Sequence, residues 1–269
     1  MKIKTILCDF DGSLVDNDER FSPQAKSLID KALRKGVRFS IATGRQYLGK
    51  IKETIKDLGI DGYHIVHGGA MIYDTINNKK IWHKSISSNS LSVISEYLKN
   101  ENVIFAFETE NSIYMYPKHI DTIYLKNVKV INLSKYNGEA VYKLLVFAKL
   151  NGFPENLIDK HVKKIQALSK DVEIIKFNFD GAFGVDITSE RSTKHTAVLE
   201  YCKILGLDRK EVAAIGDGYN DYPLLTAVGF KVAMGNSHKE LKDIADLVVS
   251  PVYEGGFDEA MKYMLDNLT

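Results

Sequence analysis

Three short apolar runs that each end on small or acidic polar residues restrict this chain more than any other feature. Ile6 to Cys8 runs into Asp9-Phe10-Asp11-Gly12-Ser13. Val37 to Ala42 runs into Thr43-Gly44-Arg45, and Val212 to Ile215 into Gly216-Asp217-Gly218-Tyr219-Asn220-Asp221. Short β-branched runs bounded by turn residues read as buried strands. In an open parallel sheet the carboxyl ends of the strands face one ligand crevice, so the three polar clusters are expected to converge.

The segments between these runs have the matching helical period. Ser22-Pro23 predicts an N-cap with a first-turn proline, and Leu28, Ile29, Ala32 and Leu33 form one stripe that stops at Gly36. A helix-length segment to Leu58-Gly59 precedes a short strand at Ile65-Val66. Strand and helix in alternation imply right-handed βαβ units and a parallel sheet. The middle of the chain differs. Strand runs at Val103 to Glu108, Ile113 to Tyr116, Tyr142 to Ala148, Glu173 to Phe179 and Phe183 to Thr188 accompany helical stripes through Leu91, Ile94 and Leu98 and through Leu157 to Leu168. Paired strands with helices between them predict a compact α+β unit with a mostly antiparallel sheet. From Arg191 the α/β rhythm returns, with strands at Lys231 to Met234 and Leu247 to Val249. The expected fold class is α/β: a Rossmann-like core from residues 1–82 and 190–269, with residues 83–189 inserted as an α+β cap.

The residue types at the strand ends suggest a chemistry. Asp9, Asp11, Asp217 and Asp221 place four carboxylates in one crevice, which cannot all stay ionised and unpaired without a cation. Hard oxygen ligands of this kind suit Mg²⁺. Asp9 and Asp11 are two residues apart and would point the same way on a continued strand, one to attack phosphorus and its neighbour to shuttle a proton. Thr43, the backbone near Gly44, and Lys194 at the start of a helix would supply donors and positive charge for phosphoryl oxygens.

Each motif alone has a plainer meaning. Asp-x-Asp-Gly is a common solvated turn, and Lys194 alone is an ordinary surface residue. A helix–loop–helix calcium site lacks its Asn or Asp where Ser13 stands. A dinucleotide loop is strongly disfavoured by Asp221, whose carboxylate would repel a pyrophosphate. The four clusters in order carry the argument together.

Taken together these residues resemble the haloacid dehalogenase superfamily of phosphohydrolases, and within it the Cof-type subgroup of sugar-phosphate and related phosphatases, over nearly the whole chain. The resemblance implies Asp9 as nucleophile and Asp11 as general acid/base that also binds metal through its backbone carbonyl. It implies Thr43, with Gly44 and Arg45, as phosphate or substrate contacts, and Lys194 as the cation that steadies nucleophile and phosphoryl group. Asn220 is implied as a substrate contact, and Asp217 and Asp221 as the remaining metal groups. Met234-Gly235-Asn236-Ser237 and Glu254-Gly255-Gly256 also fit the subgroup. Departures are Ser13 for threonine, His195 for glycine, Gly68 for asparagine, and Tyr222-Pro223 for small or aliphatic residues.

Bulk properties narrow the partners. Lys plus Arg number 36 against 35 Asp plus Glu, a balance that argues against a dedicated nucleic-acid or membrane binder. The two cysteines, Cys8 and Cys202, read as thiols of a reducing compartment rather than a disulfide. The first apolar stretch is too brief for a signal peptide, so a cytoplasmic monomer or homodimer acting on a small phosphorylated metabolite is expected. A phosphomutase of the phosphomannomutase type and a non-catalytic phosphometabolite sensor are the alternatives. Of the histidines outside the motifs, His64, His67, His83, His119, His161 and His238, only His67 is placed where it could reach substrate. Tyr114, Tyr116 and Phe183 could be core or could line a pocket.

Overall fold

The computed structural model describes residues 2–117, 129–179, 182–190 and 192–269. The chain begins with β1 (Thr5–Cys8), α1 (Ala25–Arg34), β2 (Arg38–Ile41), α2 (Gly49–Leu58), β3 (Tyr63–Val66), β4 (Met71–Asp74) and β5 (Lys79–His83). It continues with α3 (Ser88–Asn100), β6 (Phe105–Glu108), β7 (Ile113–Tyr116), β8 (Val130–Asn132), β9 (Lys143–Phe147), α4 (Ala148–Asn151), α5 (Glu155–Leu168), β10 (Val172–Phe179) and β11 (Ala182–Ser189). It ends with α6 (Lys194–Leu205), β12 (Val212–Gly216), α7 (Tyr222–Thr226), β13 (Phe230–Ala233), α8 (Lys239–Asp243), β14 (Leu247–Val248) and α9 (Gly256–Asn267). Two compact units result. One contains Met1–Arg45, Lys50–Trp82 and Lys194–Thr269; the other contains Gln46–Gly49 and His83–Thr193.

The first unit is built on a parallel sheet in the order β14-β13-β12-β1-β2. A parallel bridge from Ala42 to Ile65 sets β3 beside β2. The chain leaves β1 toward β2 and later returns at β12, on the other side of β1, before moving on to β13 and β14. The switch point of the topology therefore lies between β1 and β12, where an open α/β sheet has its crevice. Successive side chains of a strand point to opposite faces, and both faces here are covered. Leu7, Val212 and Ala214 pack with Ala197, Val198 and Tyr201 of α6. On β2, Ser40 bonds the Tyr201 hydroxyl at 2.8 Å, whereas its neighbour Phe39 meets Phe257 of α9 edge-on at 6.0 Å. Ser22 Oγ accepts from the Ala25 amide at 3.0 Å and so caps the first turn as expected, although regular helix starts only at Ala25. Leu33, counted in the apolar stripe, is 36% exposed.

In the second unit the sheet order is β10-β11-β9-β6-β7-β8, antiparallel except between β7 and β8. Leu91, Ile94 and Leu98 of α3 and Ile158 and Ile165 of α5 cover one face over Phe105, Phe107, Leu144 and Val146. Tyr114 belongs to this core, and Tyr116 packs against it half-buried. Phe183 and His119 lie outside the residues whose side chains are described. On the opposite face Lys143 is buried, 3.6 Å from Glu108 and 3.2 Å from Asp186. Burial works against its charge, and the two carboxylates outweigh burial.

The sequence reading missed the three-stranded β3-β4-β5 sheet, in which β3 and β4 pair antiparallel, because only the single turn His67–Gly69 separates β3 from β4. Among the described residues no helix is long and apolar enough to cross a membrane. The two cysteines are free and buried.

His64, fully buried on β3, ties this part of the core together. Its Nδ1 accepts from the Ile41 amide at 3.0 Å, which leaves Nε2 as the donor to the Ile60 carbonyl at 2.9 Å. Only the neutral ring can serve both partners, and burial holds its pKa at about 4 instead of 6.5. The unfolded chain binds this proton more readily, so the stability is complete above pH 6.5 and is lost as pH falls toward 4. Between pH 7 and pH 5 the wild type should lose about 2 kcal/mol more than His64→Gln in urea unfolding. Parallel stability curves for the two proteins would contradict this role.

Candidate active site

The chain turns immediately after β1. The Leu14 and Val15 amides both donate to the Phe10 carbonyl at 3.0 Å, and the Gly12 amide donates to the Val15 carbonyl at 2.9 Å. Gly12 has φ 77°, and a Cβ there would lie 2.3 Å from Asp217 Oδ2, so both backbone and space require glycine. The Asp9 amide still donates to the Ile215 carbonyl at 2.9 Å, which keeps Asp9 in register beside β12.

The centre of the site is one cation between two carboxylates. Lys194, the first residue of α6, places Nζ 2.6 Å from Asp9 Oδ1 and 2.6 Å from Asp221 Oδ1. All three side chains are at least nine-tenths buried, with exposures of 2%, 5% and 0%. Asp221 Oδ2 accepts from the Asp217 and Gly218 amides at 3.1 and 3.0 Å, so this carboxylate also shapes the turn after β12. A Cβ at Gly216 would lie 2.6 Å from Asp221 Cβ, which explains the glycine there. Among the described residues nothing donates to Asp9 Oδ2.

Asp11 has a different partner. Arg45 Nε and Nη2 reach its two oxygens at 2.8 and 2.5 Å, and Arg45 Nη1 reaches Glu19 Oε1 at 2.5 Å. The expectation that Asp9 and Asp11 share one face of a continued strand is therefore corrected. The strand ends at Cys8, and the turn sends the two carboxylates to different cations.

The loop after β2 is held by backbone. The Thr43 amide donates to Ile65, the His67 amide to Arg45, and the Gly68 amide to Thr43, at 2.9 to 3.0 Å. Thr43, fully buried, accepts from the Arg45 amide at 3.1 Å through Oγ1. His67 is buried and supports this loop rather than facing solvent. Gly68 has φ 70°, a conformation that asparagine also tolerates, which accounts physically for its standing where asparagine is expected. A Cβ at Gly44 would meet nothing within 4 Å, so open space lies over this backbone. Asn220 lies on the turn Tyr219–Asp221, half-buried, with its Oδ1 against Gly218.

Asn236 is the site residue to which sequence reasoning gave no role. Its Nδ2 donates to Asp217 Oδ2 at 2.9 Å and to the Gly12 carbonyl at 3.0 Å, and its Oδ1 accepts from the Val252 amide at 3.0 Å. It ties Asp217 to the turn after β1. The signal was available, since Asn236 follows β13 as Asp217 follows β12. Ser13 Oγ lies 3.4 Å from Asp217 Oδ1, within reach of a weak bond.

The family-level finding agrees with this geometry. The family model described as haloacid dehalogenase-like hydrolase matches residues 6–261. The chain belongs to that family. Among relatives of this hydrolase, Phosphatase YwpJ of Bacillus subtilis is 26% identical, with 98% of this chain and all of that one covered. A phosphoglycolate phosphatase of Methanobrevibacter smithii is 26% identical over 97% of this chain and 98% of its own. A solved haloacid dehalogenase-like hydrolase from B. subtilis superposes with a TM-score of 0.82 at 24% identity, covering 97% of this chain and 100% of that one. The subclass IIB sugar phosphatase BT4131 also superposes at 0.82, with 22% identity and coverage of 97% and 98%. These likenesses establish the fold as a Rossmann-like core with a cap.

The hydrolase fits a divalent cation by the chemistry of its donors. One oxygen from each of Asp9, Asp217 and Asp221 lies within 4.8 Å of the others. Burial, then Asp221, pushes Asp9 well above the ordinary carboxylate range, with Lys194 opposing. Burial, then Asp221, likewise pushes Asp217 up to about 7. Burial works against the Lys194 charge, but Asp221 and Asp9 outweigh it and hold the ammonium protonated. Three carboxylates with one buried lysine leave the cluster short of positive charge, the condition that hard oxygen ligands meet by taking Mg²⁺. Asp11 is outside this cluster; burial pushes it up, and Arg45 opposes.

Replacing Lys194 by Met should strip the buried cation that pairs with both Asp9 and Asp221. Breaking a buried pair from one side costs about 3–5 kcal/mol. Urea unfolding at pH 7 in EDTA should show that loss; a change below about 1 kcal/mol would mean the pairing contributes little.

Proposed function

We propose that this phosphoric monoester hydrolase is a Mg²⁺-dependent phosphatase of a small phosphorylated metabolite, a sugar phosphate or a close chemical relative. It would act through an aspartyl-phosphate on Asp9. The observation that carries the reading is the buried Asp9, held by Lys194 through Oδ1 while no described residue donates to Oδ2. A nucleophilic carboxylate needs one oxygen anchored and the other available. The name of BT4131, a sugar phosphatase, supports the substrate class, and the names of the curated relatives support phosphate-ester hydrolysis.

In the first step an oxygen of Asp9 forms a bond to phosphorus as the ester oxygen leaves, and Asp11 gives that oxygen its proton. In the second step water attacks the aspartyl-phosphate, Asp11 takes the water's proton, and phosphate departs with Asp9 regenerated. Thr43, the backbone at Gly44, Asn220 and Lys194 hold the phosphoryl oxygens. Asp9, Asp217 and the Asp11 carbonyl would hold Mg²⁺, with Asp221 in support. The chemistry a bound Mg²⁺ supplies is charge neutralisation between an anionic nucleophile and an anionic phosphoryl group. The open space over Gly44 supports a close approach of ligand to backbone there.

The same reading assigns residues 83–189 the part of an inserted cap domain, with the core made of 1–82 and 190–269. It gives the protein no nucleic-acid or membrane partner and places it in the cytoplasm as a monomer or homodimer.

The test is phosphate release from a panel of alkyl esters: glucose 6-phosphate, ribose 5-phosphate, glycerol 3-phosphate, flavin mononucleotide and pyridoxal phosphate. Release should require Mg²⁺, stop in EDTA, and fall by at least about 10³-fold in Asp9→Asn. An isomeric ester with no free phosphate would point to a mutase. Binding without turnover would point to a sensor, and either result would overturn the proposal.

A further inference from the structure

Asp11 is held in a way that restrains the movement its proposed task calls for. Both its oxygens are engaged by the fork of Arg45, at 2.8 and 2.5 Å. A group that hands a proton to a leaving oxygen must aim one of its own oxygens at that atom. The fork on both oxygens competes with that aim, and loosening one of its hydrogen bonds frees an oxygen to turn. Bidentate Arg–carboxylate pairs are among the strongest polar contacts, so an unassisted fork would oppose any turning of the acid.

A second carboxylate shares that guanidinium. Glu19 Oε1 lies 2.5 Å from Arg45 Nη1, the nitrogen that Asp11 does not use. Among the described residues no other cation bonds Glu19: Arg20, next in the chain, bonds Asp16 and Asp18 instead. The backbone supports the assignment independently. Glu19 has φ 58°, in the left-handed region that Gly, Asn and Asp occupy cheaply and glutamate does not. The loop that imposes this is closed by the Asp16 amide to the Arg20 carbonyl at 3.0 Å, the Glu19 amide to the Asp16 carbonyl at 2.9 Å, and the Arg20 amide to Asp16 Oδ1 at 3.0 Å. Asp18 and Asn17 stand one and two positions earlier, yet the strained position carries the longer acid. Strain kept at a residue whose side chain reaches the active site points to a functional constraint. The guanidinium is further placed by the Phe10 ring, with Cζ 5.2 Å from the centroid, so it can keep its position when one partner leaves.

We propose that Glu19 is a positioning residue for catalysis, acting through Arg45 on Asp11. By holding the far edge of the guanidinium it keeps Arg45 in place and weakens the grip on Asp11, so that Asp11 can turn one oxygen to the leaving group and return. The inference rests on the reading of Asp11 as the acid/base of a phosphatase.

The experiment compares wild type, Glu19→Gln and Glu19→Gly in single-turnover release of two leaving groups. One is the alcohol of the panel ester that the wild type hydrolyses fastest; the other is nitrophenolate from p-nitrophenyl phosphate, which needs no proton to depart. In both variants alcohol release should slow about tenfold or more, the concentration for half-maximal rate should hold within about twofold, and nitrophenolate release should stay within about twofold of wild type. Glu19→Gly, which suits the left-handed backbone, should also melt at the same or a higher temperature than wild type, separating the effect from damage to the fold. Equal slowing of both leaving groups, or no slowing of either, would overturn the positioning role while leaving the phosphatase reading intact. A wild type that releases no phosphate from any ester would overturn both.

Discussion

The site depends on Lys194 standing between Asp9 and Asp221 at 2.6 Å from each. A buried carboxylate is stable only when paired, and two adjacent ones repel unless a cation lies between them. Lys194 satisfies both, and each partner has a second duty. Asp9 is anchored by the same β1–β12 register that builds the sheet, and Asp221 uses its other oxygen to close the turn after β12. The pairing therefore links the end of β1, the turn after β12 and the start of α6, the helix that leads into β12. Removing it would disturb the fold and the chemistry together.

The surrounding parts work by restricting backbone. Gly12 and Gly216 are places where a single methyl group would collide with an aspartate of the site. Asn236 holds the Gly12 carbonyl and Asp217 at once, so a residue from the end of β13 sets the spacing between the turns after β1 and β12. His64 does the equivalent on the other side of the sheet, filling the Ile41 amide that the short β2 leaves available. His64 is buried and Asn236 is exposed, yet each serves more than one partner, which is how a crevice lined with charge keeps one geometry.

Much of this was legible before any coordinates. The α/β fold class followed from the alternation of strand runs and helical stripes, and Asp9, Asp217, Asp221 and Lys194 were singled out because they sit at strand ends or a helix start. The structure brings those four together. What the sequence could not show was partnership. The two-residue spacing of Asp9 and Asp11 suggested a shared strand face, but the turn at Phe10 overrides the period-two rule and divides them between Lys194 and Arg45. Glu19 carries no sequence signal at all, since its meaning comes from a left-handed backbone in an ordinary acidic loop. His64 was likewise silent, because one histidine in an apolar strand looks the same whether it is a hydrogen-bonded core residue or incidental. Asn236 could have been found by applying the strand-end rule to β13 as well.

The most direct measurement is the chemical state of Asp9 during turnover. Wild-type enzyme mixed with substrate and Mg²⁺, quenched in acid within one turnover and digested, should carry phosphate on the peptide that contains Asp9. That phosphate should be lost on treatment with hydroxylamine, as an acyl phosphate is. Phosphate found on any other residue, or steady product formation with no phosphorylated peptide under conditions that slow the second step, would contradict Asp9 as the nucleophile.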